Sequence, residues 1–310
     1  MDNLNEKIEQ ITAEAAALGC YTEKGAVLKE YTTFRIGGKC NLLVKLNGEE
    51  SFIKLIPLAE KLGVPYYIFG KGSNLIVDSD GITGVVFVSG KDYADIKLIN
   101  DETIFCTAGT SLSAICKFAL DNELTGLEFA YGIPGSLGGA VFMNAGAYGG
   151  EMKDVVTSVK VMAVTGVVTE YDAAQLDFSY RHSRFTESGE VILSAVIKLK
   201  KGNKEQIKAQ MDDLMERRKS KQPLEYPSAG STFKRPEGSY ASLLIEQCGL
   251  KGVHVGDAEV STKHSGFVIN KGNANFGQLM ELIEIVKDTV KEKTGYILKC
   301  EPLIISDKKY

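Results

Sequence analysis

Residues 70–77 read Gly-Lys-Gly-Ser-Asn-Leu-Ile-Val and directly follow a short apolar run, residues 64–69. Their first half matches the start of the dinucleotide fingerprint G-x-G-x-x-G, but Leu75 stands where the third glycine belongs. We predict a strand over Leu75–Val77, whereas a Rossmann site needs a helix whose N-terminus meets the pyrophosphate. A Rossmann site is therefore excluded at this position. A loop of small residues can still bind phosphate through its own N–H groups, and a tight turn between strands is an equally simple interpretation.

A second glycine-rich stretch, residues 132–150, reads GIPGSLGGA, then VFM, then NAGAYGG. A flexible linker is the simple alternative, but the apolar residues 141–143 in its middle are of the kind that proteins bury. Repeated glycine beside apolar side chains is typical of a backbone that approaches a large ligand closely. We interpret the stretch as a ligand site. A nucleotide-hydrolysing P-loop is not supported, because the chain contains no Walker A sequence.

The charge balance and the cysteine pattern exclude several classes of function. The 36 Lys and Arg residues against 40 Asp and Glu give a net charge of −4 without a basic stripe, so we expect no nucleic-acid partner. None of the six cysteines forms a C-x-x-C pair and the three histidines are scattered, so we expect no metal site. The N-terminus is acidic, and the longest uncharged stretch is too rich in glycine to span a membrane. We expect a cytoplasmic protein with reduced cysteines and no membrane partner.

Hydrophobic periodicity predicts an α+β fold. Helices are expected over residues 4–18, 49–62, 111–120, from 203 to before Pro223, and from 276 to about 290. Short strands are expected over residues 66–69, 75–77, 85–88, 96–99, 103–107, 155–164, 167–171 and 191–199. Strands dominate the first two thirds and helices the last third, which favours α+β over a doubly wound sheet. The expected domain joint lies at residues 200–202.

Three further residues, each with a simpler structural interpretation, have side chains that could act in a catalytic site. Arg181, in the run Ser-Tyr-Arg-His-Ser-Arg, could hold a carboxylate through two hydrogen bonds, or lie in an exposed loop. Ser231 has no neighbouring histidine and no G-x-S-x-G elbow, so a turn serine is the default interpretation. Glu301 leads into the apolar run Leu303–Ile305, where a buried carboxylate would need a partner. His264 could line a site but is more simply a structural residue.

Taken together, eight segments in the same order resemble the UDP-N-acetylenolpyruvoylglucosamine reductase family, in its second and shorter type. The segments are residues 31–38 (YTTFRIGG), 70–74, 132–150, 179–181, 218–223, 230–236, 247–252 and 301–302. The resemblance implies a vanillyl-alcohol-oxidase/PCMH-type FAD-binding domain of two lobes at residues 30–200, after an N-terminal helix and lead-in at 1–29. A C-terminal α+β substrate-binding domain follows at residues 201–310.

The resemblance also implies an activity. This is the NADPH-dependent reduction of the enolpyruvyl group of UDP-N-acetylglucosamine enolpyruvate to UDP-N-acetylmuramate through FAD, a step of peptidoglycan precursor synthesis. NADPH is then a co-substrate, and the protein is expected to be a monomer or weak oligomer. Another FAD-dependent oxidase or dehydrogenase of the same fold remains an alternative, as does a nucleotide-sugar binder that has lost flavin.

Family roles fall on matching residues of this chain. Ser231 is expected to be the proton donor, while Arg181 and Glu301 stabilise the reacting carboxylate. Substrate contacts are expected from Tyr180, Arg218, Lys221, Lys234 and Gln247. FAD contacts are expected from Arg35, Gly70, Lys71, Gly72, Ser73, Asn74, Leu75, Gly132, Ile133, Pro134, Gly135, Ser136, Gly138, Gly139, Asn144, Ala145 and Gly146. Arg235 stands where the longer type has Asn, and the longer type's inserted loop with a substrate-clamping Tyr has no counterpart here.

Overall fold

The fold is described from a computed structural model, which describes residues 2–308. The helices are α1 (Asp2–Ala17), α2 (Glu49–Leu62), α3 (Leu112–Asp121), α4 (Leu137–Phe142), α5 (Phe185–Ser188), α6 (Lys204–Lys221), α7 (Ala241–Gln247) and α8 (Phe276–Thr294). The strands up to residue 107 are β1 (Tyr21–Lys24), β2 (Cys40–Leu46), β3 (Tyr66–Phe69), β4 (Leu75–Val77), β5 (Ile82–Ser89), β6 (Ile96–Asn100) and β7 (Thr103–Thr107). The later strands are β8 (Leu124–Thr125), β9 (Gly146–Ala147), β10 (Gly150–Glu151), β11 (Val156–Met162), β12 (Val168–Asp172), β13 (Val191–Lys198), β14 (Lys200–Lys201), β15 (His254–Val255), β16 (Ala258–Val260), β17 (Val268–Asn270) and β18 (Leu303–Ile305).

Local capping explains why α2, α3 and α8 begin or end where the sequence predicts, whereas α4, α5 and α7 were not predicted. The Ser111 hydroxyl accepts a hydrogen bond from the Ala114 N–H at 3.2 Å, so it caps α3. Asn275 caps α8 in the same way, accepting from the Gln278 N–H at 2.9 Å. Gly63 ends α2 in the left-handed conformation at φ +62°, which favours glycine because no Cβ is present.

The chain forms two compact units that interleave along the sequence. Unit 1 comprises residues 2–24, 41–71 and 84–217, and unit 2 comprises residues 25–40, 72–83 and 218–308 of the described chain. The expected domains are defined by the ligand that each binds, FAD for residues 30–200 and substrate for residues 201–310. Their bounds differ from those of the two compact units. That functional division stays a prediction. The strand β4, in the first glycine-rich region, belongs to the same unit as the C-terminal helices.

Unit 1 is built on two sheets. A four-stranded sheet has the order β1-β2-β5-β3, in which β3 and β5 run parallel with Phe69 opposite Val88. A five-stranded sheet has the order β12-β11-β13-β7-β6 and is antiparallel at every pairing. Strands β11 and β12 form an antiparallel hairpin, with Gly166 in its turn at φ +90°. The apolar core contains Phe52, Phe87 and Leu137, each buried.

Unit 2 packs α7 and α8 with the small sheet β15-β16-β17. Its core uses the apolar face of α8, where Leu279, Ile283, Val286 and Val290 are buried at helical spacing. A parallel pair joins β18 to β4, so the last strand lies beside the strand that leaves the first glycine-rich loop. No helix among residues 2–308 is long and apolar enough to cross a membrane.

Candidate functional site

The first glycine loop, residues 70–75, begins at the carboxyl end of β3, and its first residue lies against the second glycine segment, residues 132–150. A Cβ atom placed on Gly70 would overlap the Ser136 hydroxyl oxygen, so only glycine fits there without movement of its neighbour. The two glycine-rich stretches that the sequence singles out therefore meet at this point of unit 1.

Gly72 makes a second close approach, within unit 2. Its φ of +62° is left-handed, and a Cβ there would overlap the Tyr31 carbonyl oxygen. The Gly72 carbonyl accepts a hydrogen bond from the Thr33 N–H at 3.1 Å. The loop is thereby held by residues 31–38, one of the eight segments that resemble the family. Arg35 of that run is exposed and has a left-handed φ of +56°.

Asn74 of the first glycine loop carries an unsatisfied side-chain donor. Its side-chain nitrogen Nδ2 is buried and has no hydrogen-bond partner, although its backbone carbonyl accepts from the Leu303 N–H at 2.9 Å. Native proteins rarely leave a buried donor unpaired, because the lost hydration costs free energy. A bound anion with acceptor oxygens, such as a diphosphate, fits this donor.

The start of α4 in the second glycine segment uses its N–H groups within the protein. Leu137 donates to the Thr110 carbonyl at 2.8 Å and Gly138 donates to the Ala108 carbonyl at 2.9 Å. A Cβ on Gly138 would lie 3.0 Å from the Ala108 Cβ. Gly138 therefore permits close packing of backbones, and its own N–H does not serve a ligand.

Asn144 holds the second glycine segment together through its side chain. It is fully buried with φ +42°. Its Nδ2 donates to Glu151 Oε2 at 2.8 Å and to the Ser179 carbonyl at 2.9 Å, and its Oδ1 accepts from the Lys153 N–H at 2.9 Å. Both amide hydrogens are used, so the structure gives Asn144 a positioning role; a direct side-chain contact with FAD stays a prediction.

Arg181 lies at the corner of a tight turn. Ser179 and His182 exchange backbone hydrogen bonds at 3.1 and 3.2 Å, and Arg181 between them has a left-handed φ of +54°. Its Nη2 donates to the Gly146 carbonyl at 3.3 Å, and its guanidinium lies 5.3 Å from the Tyr180 ring centroid. Left-handed backbone is unusual for arginine and is often retained at functional sites. The turn is thereby held beside Gly146.

Ser231 and Glu301 come together in unit 2 through the buried Thr232. The Thr232 carbonyl accepts from the Glu301 N–H at 2.9 Å, and its N–H donates to the Gly266 carbonyl at 2.8 Å. Its hydroxyl oxygen accepts from the Val268 N–H at 2.9 Å. Because Ser231 precedes Thr232, the backbone that carries the serine is fixed beside the backbone that carries the glutamate.

His264 supports the position of Thr232 indirectly, through Gly266. Its Nδ1 accepts from the Gly266 N–H at 3.1 Å, and Gly266 in turn binds Thr232. Burial lowers the pKa of His264, which favours the neutral imidazole that can accept a hydrogen bond. Burial also raises the pKa of the Cys300 thiol, which precedes Glu301, to about 11, so this cysteine is not activated as a nucleophile.

The predicted substrate residues lie on two helices and in two loops. Arg218 and Lys221 belong to the last turn of α6, where basic residues suit the helix dipole. Gln247 is the exposed last residue of α7. Lys234 is half-buried and donates its N–H to the Lys299 carbonyl at 2.8 Å, while Tyr180 is 45% exposed. Tyr180 and Arg181 belong to unit 1, and the substrate residues from 218 onward belong to unit 2.

Two supporting residues escaped the sequence analysis. Thr232 follows Ser231 without any motif of its own, and Ser183, whose hydroxyl donates to the Phe142 carbonyl at 2.7 Å, reads as one polar residue among several. Only the fold shows that their hydroxyl groups bind distant backbone. Within residues 2–308 the structure contains no group of three or more His, Cys, Asp or Glu placed to hold a metal.

Family models match both parts of the chain. The model described as FAD binding domain matches residues 41–172, and the one described as UDP-N-acetylenolpyruvoylglucosamine reductase, C-terminal domain, matches residues 222–305. With the glycine loop and its unpaired Asn74 amide, these matches define the chain as an FAD-dependent oxidoreductase of α+β fold.

The more specific assignment comes from relatives along the whole chain. UDP-N-acetylenolpyruvoylglucosamine reductase of Clostridium novyi (strain NT) is 47% identical over 309 residues, 99% of this chain and 97% of the relative. The enzyme of that name from Caldanaerobacter subterraneus is 48% identical over 281 residues, 91% of this chain and 92% of the relative. The crystal structure of the Thermus caldophilus enzyme, 33% identical, has a TM-score of 0.80 and covers 93% of this chain and 100% of its own. The chain belongs to the UDP-N-acetylenolpyruvoylglucosamine reductase family, which confirms the resemblance.

Proposed function

We propose that the protein reduces the enolpyruvyl group of UDP-N-acetylglucosamine enolpyruvate to UDP-N-acetylmuramate, with NADPH as the reductant and FAD as the cofactor. This supplies a peptidoglycan precursor. The observation that carries the proposal is the pairing of Ser231 with Glu301 about Thr232, in a chain whose family and FAD-binding domain are established. We further propose that the protein acts in the cytoplasm as a monomer or weak oligomer.

The first glycine loop is proposed to hold the FAD diphosphate. The Asn74 amide has no partner in the protein and is suited to donate to a phosphate oxygen. Gly70 and Gly72 let the backbone come close, because neither position has room for a side chain. Arg35, Lys71, Ser73 and Leu75, with residues 132–146 of the second glycine segment, complete the proposed contacts. When bound, FAD supplies the group that accepts hydride from NADPH and passes hydride to the substrate.

Arg181 is proposed to stabilise the charge that develops on the substrate carboxylate when hydride reaches the terminal methylene carbon of the enolpyruvyl group. A guanidinium offers planar, paired donors that match a carboxylate. The turn from Ser179 to His182 and the bond to Gly146 keep the guanidinium in place before the reaction. Such preorganised charge is usually the largest electrostatic contribution to catalysis.

Ser231 is proposed to complete the reduction by donating the proton of its Oγ to the carbon next to the carboxylate. A hydroxyl is a weak acid, but that carbon becomes strongly basic once charge has developed. Glu301 is proposed to assist at the same carboxylate, since the Thr232 carbonyl holds its backbone beside that of the serine. Tyr180, Arg218, Lys221, Lys234 and Gln247 are proposed to bind the UDP-sugar.

A visible spectrum of the purified protein, before and after anaerobic NADPH, tests the proposal. We expect a flavin band that NADPH bleaches and that molecular oxygen restores only slowly. Rapid reoxidation by oxygen would favour another oxidase of the same fold. A colourless protein that added FAD does not reconstitute would contradict the proposal and favour a nucleotide-sugar binder.

A further inference from the structure

The hydroxyl of Ser89 is a buried polar group that the roles above leave unexplained. Ser89 is the last residue of β5 and is 6% exposed. Its Oγ has no hydrogen-bond partner in the described protein. Because an unpaired buried hydroxyl is costly, such groups in native proteins nearly always bind protein, ordered water or a ligand.

The position of Ser89 in the sheet points to a ligand. Strands β3 and β5 run parallel with Phe69 opposite Val88, so the next residues, Gly70 and Ser89, leave the sheet at the same edge. Ligands of parallel strands typically bind outside the carboxyl ends. Ser89 therefore lies beside the first residue of the first glycine loop, within one unit.

Close backbone packing lies next to this end of the sheet. A Cβ on Gly109 would overlap the carbonyl oxygens of Gly90 and Tyr93. The buried hydroxyl groups nearby are satisfied. Thr107 Oγ1 donates to the Tyr93 carbonyl at 3.0 Å, and Thr110 Oγ1 donates to the Asp95 carbonyl at 3.1 Å. The Ser89 hydroxyl, unlike those of Thr107 and Thr110, has no hydrogen-bond partner in the described protein.

We propose that Ser89 Oγ donates a hydrogen bond to a phosphate oxygen of bound FAD, at the edge of the sheet where Gly70 begins the first glycine loop. A hydroxyl is a donor whose hydrogen bond phosphate oxygens accept. An ordered water is the competing occupant, since it could also satisfy a single hydroxyl.

The test compares Ser89→Ala with Ser51→Ala in the holoenzyme. Ser51 is also buried, but its hydroxyl donates to the Gly48 carbonyl at 2.6 Å. For Ser89→Ala we expect FAD release to be about tenfold faster, because one hydrogen bond to a charged group is lost. We also expect a shifted ³¹P resonance of bound FAD. The Tm of the full chain stripped of FAD should not fall. Ser51→Ala should lower that Tm and leave FAD release and the ³¹P spectrum unchanged.

Unchanged FAD release and ³¹P resonances in Ser89→Ala, with a lower Tm of the stripped chain, would overturn the proposal and assign the hydroxyl to a structural water. The inference rests on FAD binding, which the proposed function shares. A wild-type protein without flavin would defeat both, whereas a yellow wild type with an insensitive Ser89→Ala variant would defeat this inference alone.

Discussion

Gly70 packs so closely against Ser136 that a Cβ atom on Gly70 would overlap the serine hydroxyl oxygen, while the Ser136 Cβ would remain 3.6 Å away. The obstacle to a side chain at residue 70 is thus a single atom. The contact joins the first glycine loop to the second glycine segment, 66 residues later in the chain (136 − 70).

Gly70→Ala should therefore weaken FAD binding, and Ser136→Ala should rescue it. We expect the single glycine variant to release FAD at least about tenfold faster, because overpacking costs roughly 1–3 kcal/mol. The double variant, which lacks the obstructing oxygen, should recover most of that loss. FAD fluorescence after dilution measures release. Ser136→Ala alone is the control, and equal release from single and double variants would show that the contact does not shape the cofactor site.

Ser231→Ala should separate the two half-reactions. If the hydroxyl supplies the final proton, flavin reduction by NADPH stays within about twofold of wild type. Reoxidation by substrate then slows by roughly 10²–10⁴-fold, the usual contribution of general acid catalysis. Anaerobic stopped-flow absorbance follows both steps. An equal loss in both would reject the proton-donor role.

Asn144→Ala should destabilise unit 1, because it leaves partners at Glu151, Lys153 and Ser179 without their hydrogen bonds. We expect the free energy of unfolding to fall by about 2–4 kcal/mol, measured by urea denaturation. Asn144→Gly removes the same bonds but tolerates the left-handed φ, so it should be about 1 kcal/mol less damaging. A variant as stable as wild type would show that the three bonds contribute little.

His264 should make stability depend on pH. Burial lowers the pKa of His264 in the folded protein, so the unfolded chain takes up the proton first as the pH falls. The contribution of neutral His264 to the free energy of unfolding is therefore complete above the pKa of histidine in the unfolded chain, about 6.5, and is lost progressively below that pH. Denaturation at several pH values should show this loss in wild type. His264→Gln should flatten the curve in that range, and an unchanged slope would assign the effect to other groups.

The bounds of α2 and the starts of α3 and α8 were predictable because their signals are local. Ser111 caps α3, Gly63 ends α2, and the spacing of apolar residues marks the buried face of α8. Each feature depends on neighbours within one or two turns of chain. The sequence therefore carries them directly.

The interleaving of the units was not predictable from these signals. Residues 72–83 join unit 2 because β4 pairs with β18, more than 220 residues later (303 − 75 = 228). No local pattern specifies that partner. The link from His264 through Gly266 to Thr232 was not predictable for the same reason. Its hydrogen bond between Thr232 and Gly266 joins residues that are 34 positions apart (266 − 232).

The most direct test of the proposed function is anaerobic reoxidation of the NADPH-reduced protein by UDP-N-acetylglucosamine enolpyruvate, with mass spectrometry of the product. We predict that the flavin absorbance returns in proportion to added substrate and that one UDP-N-acetylmuramate, two mass units heavier than the substrate, forms per flavin reoxidised. A reduced flavin that this substrate leaves bleached, while wild-type protein remains folded and FAD-bound, would contradict it.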